Sequence, residues 1–463
     1  MSHACKPAAA GGGGAGGNAG GGGSAGGGFS PIASFVRIKP LAADPGGGTA
    51  SAKSISAWDE ETGTIEMDTG GGKVKTFDFP TATLLPESTQ AQVYSTVAAP
   101  LVAQFCQGFD VDLISYGQTG SGKTYTMFGP PHSMAAAAAA LPKDSGTGKP
   151  GGGGGGGGAV LLPEHGVVLR AGLECLAGVT ALEARGCKAA LHGSMVEMAI
   201  HSFQDQNCKD LLNGMAVCFV DDAHHLQGAG QMELRCAADV VRLAAAVETR
   251  LTRGTKMNDT SSRSHCVAVL KLTVREADAV RVSRLQFFDL MGSERFTGQN
   301  AAHDTAKSSK ATASGWEGIF SNLSLMSLYS CIELAAKHRR KKKTPGSGSA
   351  DKALLGMLLT NMLAGSLHGA ALTGMITCVS QSPRNGDESY LSLKYGTTMS
   401  KLLNKATPQP ALAIRKQLAK AEKMHAEAAA VVARGVQGKY QAQRQAQVSA
   451  YSHTVAVLRE LLA

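Results

Sequence analysis

Residues 115–127 read SYGQTGSGKTYTM, and this stretch decides the fold. Between Gly117 and Thr124 it contains the phosphate-loop pattern G-x-x-x-x-G-K-[ST], directly after a run, Asp112–Ile114, that reads as a buried strand. Glycines let successive backbone N–H groups turn towards phosphate oxygens, Lys123 reaches the β- and γ-phosphates, and the Thr124 hydroxyl can bind Mg²⁺. The positive end of a helix beginning here adds to such an anion site. The stretch therefore predicts a nucleotide-binding strand, loop and helix, against the alternative of a chance match in a chain with 58 glycines.

The composition indicates a globular protein of about two or three domains. The chain has 463 residues, 43% of them apolar, and it lacks the run of about 18 strongly apolar residues that a membrane span needs. No charged start followed by a leucine-rich segment marks a secretory signal, so we expect a cytoplasmic location and no transmembrane segment. Ten cysteines without a C-x-x-C pair favour reduced thiols over a zinc site or a disulfide framework.

The net charge of +9 favours an acidic partner. Charge alone leaves three classes open, namely nucleic acid, anionic lipid and an acidic protein surface.

Low-complexity segments divide the chain. Residues 1–30 are rich in Gly and Ala and predict a flexible tail, and residues 130–163 predict a disordered insertion beside the nucleotide loop. Between them the patterns predict a strand over 34–39, a hairpin at the edge of the sheet over 64–79 and a helix over 88–105. Later, a helix is predicted over 321–336.

Two further motifs follow the phosphate loop in chain order. Asn258–His265 is rich in serine and precedes an apolar strand, and a second strand, Leu285–Phe288, ends in Asp289 and a glycine three residues later. In a nucleotide hydrolase, an aspartate that closes a buried strand holds Mg²⁺, commonly through water, and the following glycine lets a backbone N–H approach the γ-phosphate. Either motif alone is weak evidence for a nucleotide site. A serine cluster is more often a capping or turn segment, and an aspartate followed by a glycine three residues later is a short pattern.

Together these motifs resemble those of the kinesin motor domains. The nucleotide loop is Gly117–Thr124, switch I is Asn258–His265, which fits N-x-x-S-S-R-S-H, and switch II is Asp289–Glu294. Arg37–Pro40 resembles the R-x-R-P motif that flanks adenine in this family. Shorter matches are Gly108–Asp110, Glu317–Gly318, Asn322–Leu325 and Leu393–Gly396.

The resemblance covers about residues 31–405 and implies a P-loop α/β motor domain, with a central mixed, mainly parallel sheet and helices on both faces. Residues 406–463 would continue the neck linker into a C-terminal helical extension. The apolar stripe of 411–463 leaves a dimer through this segment open, although it does not hold a clean heptad.

The same resemblance assigns ATP and Mg²⁺ as cofactors and gives each motif residue a role. Arg263 and Glu294 would form the ion pair that closes the two switches and orders the attacking water, rather than an ordinary surface salt bridge. Nucleotide-binding residues would be Arg37, Pro40, Gly117, Gln118, Thr119, Gly120, Ser121, Gly122, Lys123 and Thr124. Mg²⁺ would be held by Thr124, Ser262 and, through water, Asp289; catalytic residues would be Asn258, Ser261, Arg263, Gly292 and Glu294.

The microtubule-binding region departs from the family pattern. The V-P-Y-R-D-S-K-L motif survives only as scattered residues within 344–355. Outside this region, Met291 replaces the usual alanine of switch II. A basic run, residues 337–343, lies just before the eroded motif, where a lysine-loop branch of the family binds acidic tubulin tails. The resemblance therefore predicts microtubule contacts by Lys337, Arg339, Arg340, Lys341, Lys342 and Lys343, against a merely solvated loop or a nuclear-import signal.

We expect an ATP-hydrolysing microtubule motor of the cytoplasm and cytoskeleton, with no nucleic-acid partner. The erosion of 344–355 keeps a second hypothesis open, a non-motile kinesin-like protein that binds tubulin or serves as a scaffold. A third, an unrelated P-loop enzyme such as a small-molecule kinase, would need an acceptor site that the serine-arginine motif does not provide.

Overall fold

The computed structural model describes residues 30–41, 53–79, 81–139, 161–200, 206–221, 224–251, 264–293, 311–340, 356–435 and 440–463. Within these ranges a large mixed sheet forms the centre of the molecule. Its path runs β11 (Leu226–Gln227), β10 (Val217–Val220), β9 (Gln206–Asp210), β8 (Lys188–Ile200), β13 (His265–Glu276), β14 (Ala279–Asp289), β7 (Val111–Tyr116), β15 (Leu372–Ser380), β2 (Ala33–Lys39) and β6 (Ala82–Leu84). Strands from β14 to β6 pair in parallel, and those from β11 to β14 pair antiparallel.

Short strands complete the pairing. β12 (Met232–Glu233) adds to β8, β17 (Leu412–Ala413) adds to β14, and β1 (Ser30–Pro31) pairs with β16 (Leu403–Asn404).

Helices cover both faces of the sheet, as the α/β prediction requires. The parallel strand β7 is buried along its whole length, because a strand with helices on both faces has no solvent side. One face packs against α1 (Gln90–Val93), α2 (Ala99–Cys106), α5 (Val167–Ala184) and α6 (Ala237–Ala245). The other packs against α8 (Ala311–Arg340), α9 (Leu358–Met362), α10 (Ala364–His368) and α11 (Gly386–Met399). The remaining short helices are α3 (Lys123–Met127), α4 (Ser133–Ala139) and α7 (Glu248–Leu251).

The predicted hairpin over 64–79 is part of a separate three-stranded sheet and not an edge of the main one. This sheet contains β3 (Ser54–Asp59), β4 (Thr64–Asp68) and β5 (Val74–Asp78). Its apolar side chains, such as Ile65 and Phe77, pack against Ile38 of β2 and Leu393 of α11. The alternation of apolar and polar residues predicted the strands correctly. The surface against which they pack was decided by tertiary structure.

The predicted disordered insertion over 130–163 needs correction at its start. Residues 133–139 form α4, and Met134 is buried in the main core. Alanines favour a helix, and Ala137 and Ala138 pack against the same core as Met134. The middle of this segment lies outside the described residues, as do residues 1–29 of the predicted tail.

Helix α8 is longer than the sequence predicts. It begins at Ala311 instead of Ser321, and it continues through Lys337 to Arg340. The first part of the basic run is therefore helical rather than a loop.

The C-terminal segment forms two helices that fold back onto the sheet. Apolar residues of α12 (Ile414–Ala433) and α13 (Tyr440–Leu462), including Ile414, Leu458 and Leu461, enclose a small core together with Val280 of β14. The irregular apolar stripe is thus used within one chain, and the predicted dimer stays a prediction. Among the described helices, none joins sufficient length to sufficient hydrophobicity to cross a bilayer.

Candidate nucleotide site

The phosphate-loop residues lie at the carboxyl end of β7, as their sequence predicts. Gly117 leaves the strand with a φ of 149°, and a Cβ there would lie 2.2 Å from the Cys378 carbonyl oxygen of the neighbouring strand. Gly120 and Gly122 also have positive φ, at 76° and 101°. Helix α3 begins at Lys123, so the loop wraps the start of a helix.

Lys123 is held inside this loop. Its side chain is buried, and its Nζ donates hydrogen bonds to the carbonyl oxygens of Gly117 at 2.7 Å and Gln118 at 2.8 Å. A buried ammonium group beside the loop supplies the charge that bound phosphates need.

Thr124 and Asp289 meet although they are far apart in sequence. Thr124 Oγ1 donates to Asp289 Oδ2 at 2.7 Å, and Ser115 Oγ donates to Asp289 Oδ1 at 3.3 Å. The contact arises because Asp289 ends β14, which pairs in parallel with β7 at Ser115. Two strands thus bring a hydroxyl and a carboxylate to the same edge of the sheet.

The oxygen atoms of Thr124 and Asp289 indicate whether the site suits Mg²⁺. A hard cation prefers carboxylate and hydroxyl ligands, commonly with water between, and the pair Thr124–Asp289 offers both beside Lys123. The donor set therefore fits Mg²⁺ bound together with a nucleotide phosphate.

Arg250 is a site residue that the sequence analysis missed. It is fully buried, and its Nη1 lies 3.5 Å from Asp289 Oδ2 while its Nε lies 3.7 Å from Glu197 Oε1. Its Nε also donates to Ser264 Oγ at 3.2 Å, and that hydroxyl donates to Glu197 Oε1 at 2.7 Å. The sequence offered one indication of a buried partner, the single acidic residue Glu197 within an apolar strand. A buried arginine itself cannot be recognised from the sequence.

Residues Met291 to Ser293, in the predicted switch II, approach the phosphate loop. Ser293 N donates to the Gly117 carbonyl oxygen at 3.1 Å, so buried Gly292 lies next to the loop. Met291 N donates to His265 Nδ1 at 3.2 Å, and His265 Nε2 is 2.9 Å from Ser324 Oγ. Burial, then the charges of Arg250 and Lys123, lower the pKa of His265 to about 3, so the ring is neutral and Nε2 carries the proton.

A cavity of about 870 Å³ opens beside the loop, on the side of Arg37. Arg37 donates through Nη1 to Thr126 Oγ1 at 2.7 Å and to Gln90 Oε1 at 3.0 Å, and its guanidinium lies 5.3 Å from the Tyr125 ring centroid. Pro40, Thr119, Ser121 and Gly122 also line this cavity. Its size and its position next to the phosphate loop suit a nucleoside. Sequence reasoning did not find Gln90, which fixes Arg37 from an amphipathic helix.

Several predicted residues lie outside the described part of the chain, namely Asn258, Ser261, Ser262, Arg263, Glu294, Lys341, Lys342 and Lys343. For Arg339 and Arg340 only the helical backbone is described. Lys337 is exposed, and its Nζ lies 3.3 Å from Glu333 Oε2 one turn earlier in α8. The structure thus brings together the phosphate-loop residues, Asp289, Gly292 and Arg37, and their roles stay predictions.

Comparison with known proteins agrees with this geometry. The family model of the kinesin motor domain matches residues 37–402. Kinesin-like protein K39 of Leishmania chagasi is 31% identical over 399 residues, which is 81% of this chain and 37% of that protein. Mouse kinesin-like protein KIF27 is 29% identical over 381 residues, 79% of this chain and 24% of that protein. The chain thus spans well under half of the length of these relatives.

Solved structures show the same fold. A KIF14 dimer in complex with a microtubule and AMP-PNP superposes with a TM-score of 0.61 at 24% identity, covering 82% of this chain and 96% of that one. The structure of a fast kinesin also gives a TM-score of 0.61, at 20% identity, covering 82% and 94%. With the family model matching most of the chain, this protein belongs to the kinesin motor-domain family.

Proposed function

We propose that this chain hydrolyses Mg·ATP at the loop Gly117–Thr124 and couples the reaction to movement on microtubules. The observation that carries the proposal is the hydrogen bond between Thr124 and Asp289, because it joins the phosphate loop to the strand that leads into switch II. Loss of the γ-phosphate in such a site can therefore be transmitted along β14.

The described residues have separate tasks in this mechanism. Lys123 neutralises the β- and γ-phosphates, while the loop N–H groups bind their oxygens. Arg37 and Pro40 flank the base. Arg250 acts as a positioning residue that holds Asp289 and Glu197, and it is not among the described residues that line the cavity beside the loop. Mg²⁺, when bound by Thr124, Ser262 and Asp289, supplies neutralisation of the phosphate charge.

Residues outside the described ranges complete the proposal on sequence grounds. Arg263 and Glu294 would pair to close the switches, with Asn258 and Ser261 near the γ-phosphate and the attacking water. Gly292, which the structure does describe, would lie near the same phosphate. The location would be the cytoskeleton of the cytoplasm, with microtubules as the partner, as in the KIF14 complex with a microtubule.

The test is the ATPase rate with and without microtubules. We expect stimulation by microtubules in the wild-type chain, no nucleotide binding in Lys123→Ala, and binding without hydrolysis in Glu294→Ala. Lys73→Ala, in an exposed turn, is the matched control. A rate that does not respond to microtubules would contradict the motor proposal, and normal turnover in Glu294→Ala would contradict the role of Glu294.

The basic run gives a second test of the microtubule partner. Replacing Lys341, Lys342 and Lys343 by alanine should weaken microtubule binding mainly at low salt, since screening already weakens these charges at high salt. The charge-matched control replaces Lys416, Lys420 and Lys423, which are exposed on α12. Equal salt dependence in the two variants would exclude a role for the run.

A non-motile tubulin-binding protein is the second candidate, and the C-terminal hairpin favours it. The segment after β16 is attached to the core, since Gln409 N donates to the Gly108 carbonyl at 2.8 Å and Ile414 N to the Asp278 carbonyl at 2.9 Å. Ile414 is fully buried under the helices that follow. A neck linker that is fixed in this way cannot change its position unless the helices α12 and α13 detach from the sheet. Microtubule gliding by immobilised protein supports a motor, whereas binding without gliding supports the second candidate.

A further inference from the structure

Three basic side chains form a row across the sheet, away from the nucleotide site. Lys271 of β13 lies directly opposite Arg284 of β14 on one side and His192 of β8 on the other. Side chains in directly paired positions are about 5 Å apart at Cβ, and like charges placed there repel. Arg284 precedes Asp289 by five residues, which places this row about 16 Å along the strand from the phosphate loop.

The row borders a small recess of about 40 Å³. Helix α13 lies beside it, because the His453 ring packs edge-on against the His192 ring at a centroid distance of 4.9 Å. The recess has room for a few water molecules or one small ion. Its remaining walls are Ser194, Leu226, Ala229, Gln231, Val269 and Gln286.

The carboxylates around the recess are already engaged by other donors. Asp110 accepts from the Arg284 backbone N at 2.7 Å and from Gln409 Nε2 at 2.9 Å, and its Oδ2 forms a long ion pair with Arg284 Nη1 at 3.9 Å. Asp112 accepts from Gln286 Nε2 at 2.8 Å and from Ser366 Oγ at 2.5 Å. Asp221 accepts from His225 N and Gln227 Nε2, and Glu233 pairs with Arg235.

Among the described residues, no carboxylate pairs with Lys271 and no acceptor forms a hydrogen bond with its Nζ. Within the same ranges, Nδ1 of His192, a residue only 4% exposed, is buried without a hydrogen-bond partner. Burial, followed by the charge of Arg284, lowers the pKa of Lys271 to about 8, so the ammonium form still predominates at pH 7. A charge in this position needs a counter-ion.

We propose that this recess binds a small inorganic anion, of the size of chloride or phosphate, between Lys271, Arg284 and His192. The anion neutralises the repulsion between the two opposed cations. Because His453 of α13 packs on His192, one wall of the recess, a bound anion also stabilises the docked C-terminal helices α12 and α13. The anion site does not depend on ATP turnover, so this proposal can be tested separately from the proposed motor activity.

The experiment compares thermal unfolding in potassium gluconate, chloride and phosphate at equal ionic strength, with saturating Mg·ADP to fill the phosphate loop. Gluconate is too bulky for the recess. In the wild-type chain, chloride, phosphate or both should raise the midpoint by about 2–4 °C over gluconate. The anion that raises it identifies the occupant. Hydrogen exchange in α13 around His453 should slow in the same salt.

Lys271→Met is the decisive variant. It removes a half-buried charge and keeps the length of the side chain, so we expect it to fold, to be at least as stable in gluconate and to lose the anion response. Lys271→Gln provides a second variant of the same kind. Lys188→Met, an exposed position on β8, should respond like the wild type. An equal response in Lys271→Met, or no response of the wild type to either anion, would overturn the proposal and leave a water-filled recess.

Discussion

Thr124 Oγ1 donates a 2.7 Å hydrogen bond to Asp289 Oδ2, so a loop residue after β7 contacts the last residue of β14. The two residues are separated by 165 positions, and parallel pairing of their strands brings them together. This relationship brings two of the oxygen ligands proposed for Mg²⁺ into contact beside the phosphate loop.

Thr124→Ala should weaken Mg²⁺-dependent nucleotide binding at least about tenfold, because a ligand hydroxyl is lost. The measurement is a Mg²⁺ titration with a fluorescent ATP analogue. Thr397→Ala is the control, since that hydroxyl only bonds carbonyls of its own helix. Unchanged Mg²⁺ dependence in Thr124→Ala would remove Thr124 from the proposed metal ligands.

Gly117→Ala should abolish nucleotide binding and destabilise the fold more than Gly120→Ala. Both glycines have positive φ, which costs a non-glycine residue about 1–2 kcal/mol. A Cβ at Gly117 also collides with a backbone oxygen, whereas a Cβ at Gly120 meets nothing within 4 Å. Urea unfolding of the two variants separates the effect of the collision from that of backbone strain. Equal losses of unfolding free energy would show that the structure relieves the collision at no cost.

Arg250→Met should cost about 3–5 kcal/mol of folding free energy, since Glu197 and Asp289 lose the cation buried between them. Adding Glu197→Gln should recover part of this loss, because one buried charge then disappears. A double-mutant cycle by urea unfolding measures the coupling. Strictly additive effects would mean that Arg250 and Glu197 are not energetically coupled.

Leu458→Ala should loosen the C-terminal hairpin, with a cost of about 2–5 kcal/mol for truncating a leucine in the small core shared with Ile414. Hydrogen exchange at the Gln409 and Ile414 amides should then become faster, because both bond to the core. Leu412→Ala is the control, as that side chain is 45% exposed. Unchanged exchange would show that the segment stays docked without the hairpin.

Asp112→Asn should stabilise the protein at neutral pH. Burial raises the pKa of Asp112 to about 6, although hydrogen bonds from Ser366 and Gln286 oppose the shift. A raised carboxyl pKa means that stability falls as pH rises from about 4 to about 6 and stays lower above that, by about 3 kcal/mol for a shift of about two units. The gain of Asp112→Asn in urea unfolding should therefore be present at pH 7 and disappear near pH 4, and a gain independent of pH would contradict this cause.

Much of the nucleotide site could be predicted, because its chemistry is local. Gly117–Thr124 need one strand, one turn and one helix start, and Asp289 needs only the end of a buried strand. Arg250 and Gln90 could not be predicted, since each acts through partners from other elements. The same reason explains the three-stranded sheet around Ile65, whose strands were evident while its packing surface was not.

The sequence by itself determined the phosphate loop, the strand ends and the kinesin family, because these depend on residue types at short, fixed spacing. Tertiary structure alone decided that Thr124 contacts Asp289, that Arg250 is buried between two carboxylates, and that the C-terminal helices fold back over Lys271. Contacts of this kind depend on the pairing order of strands and on which surfaces remain to be buried. Neither is encoded within the span of a single motif.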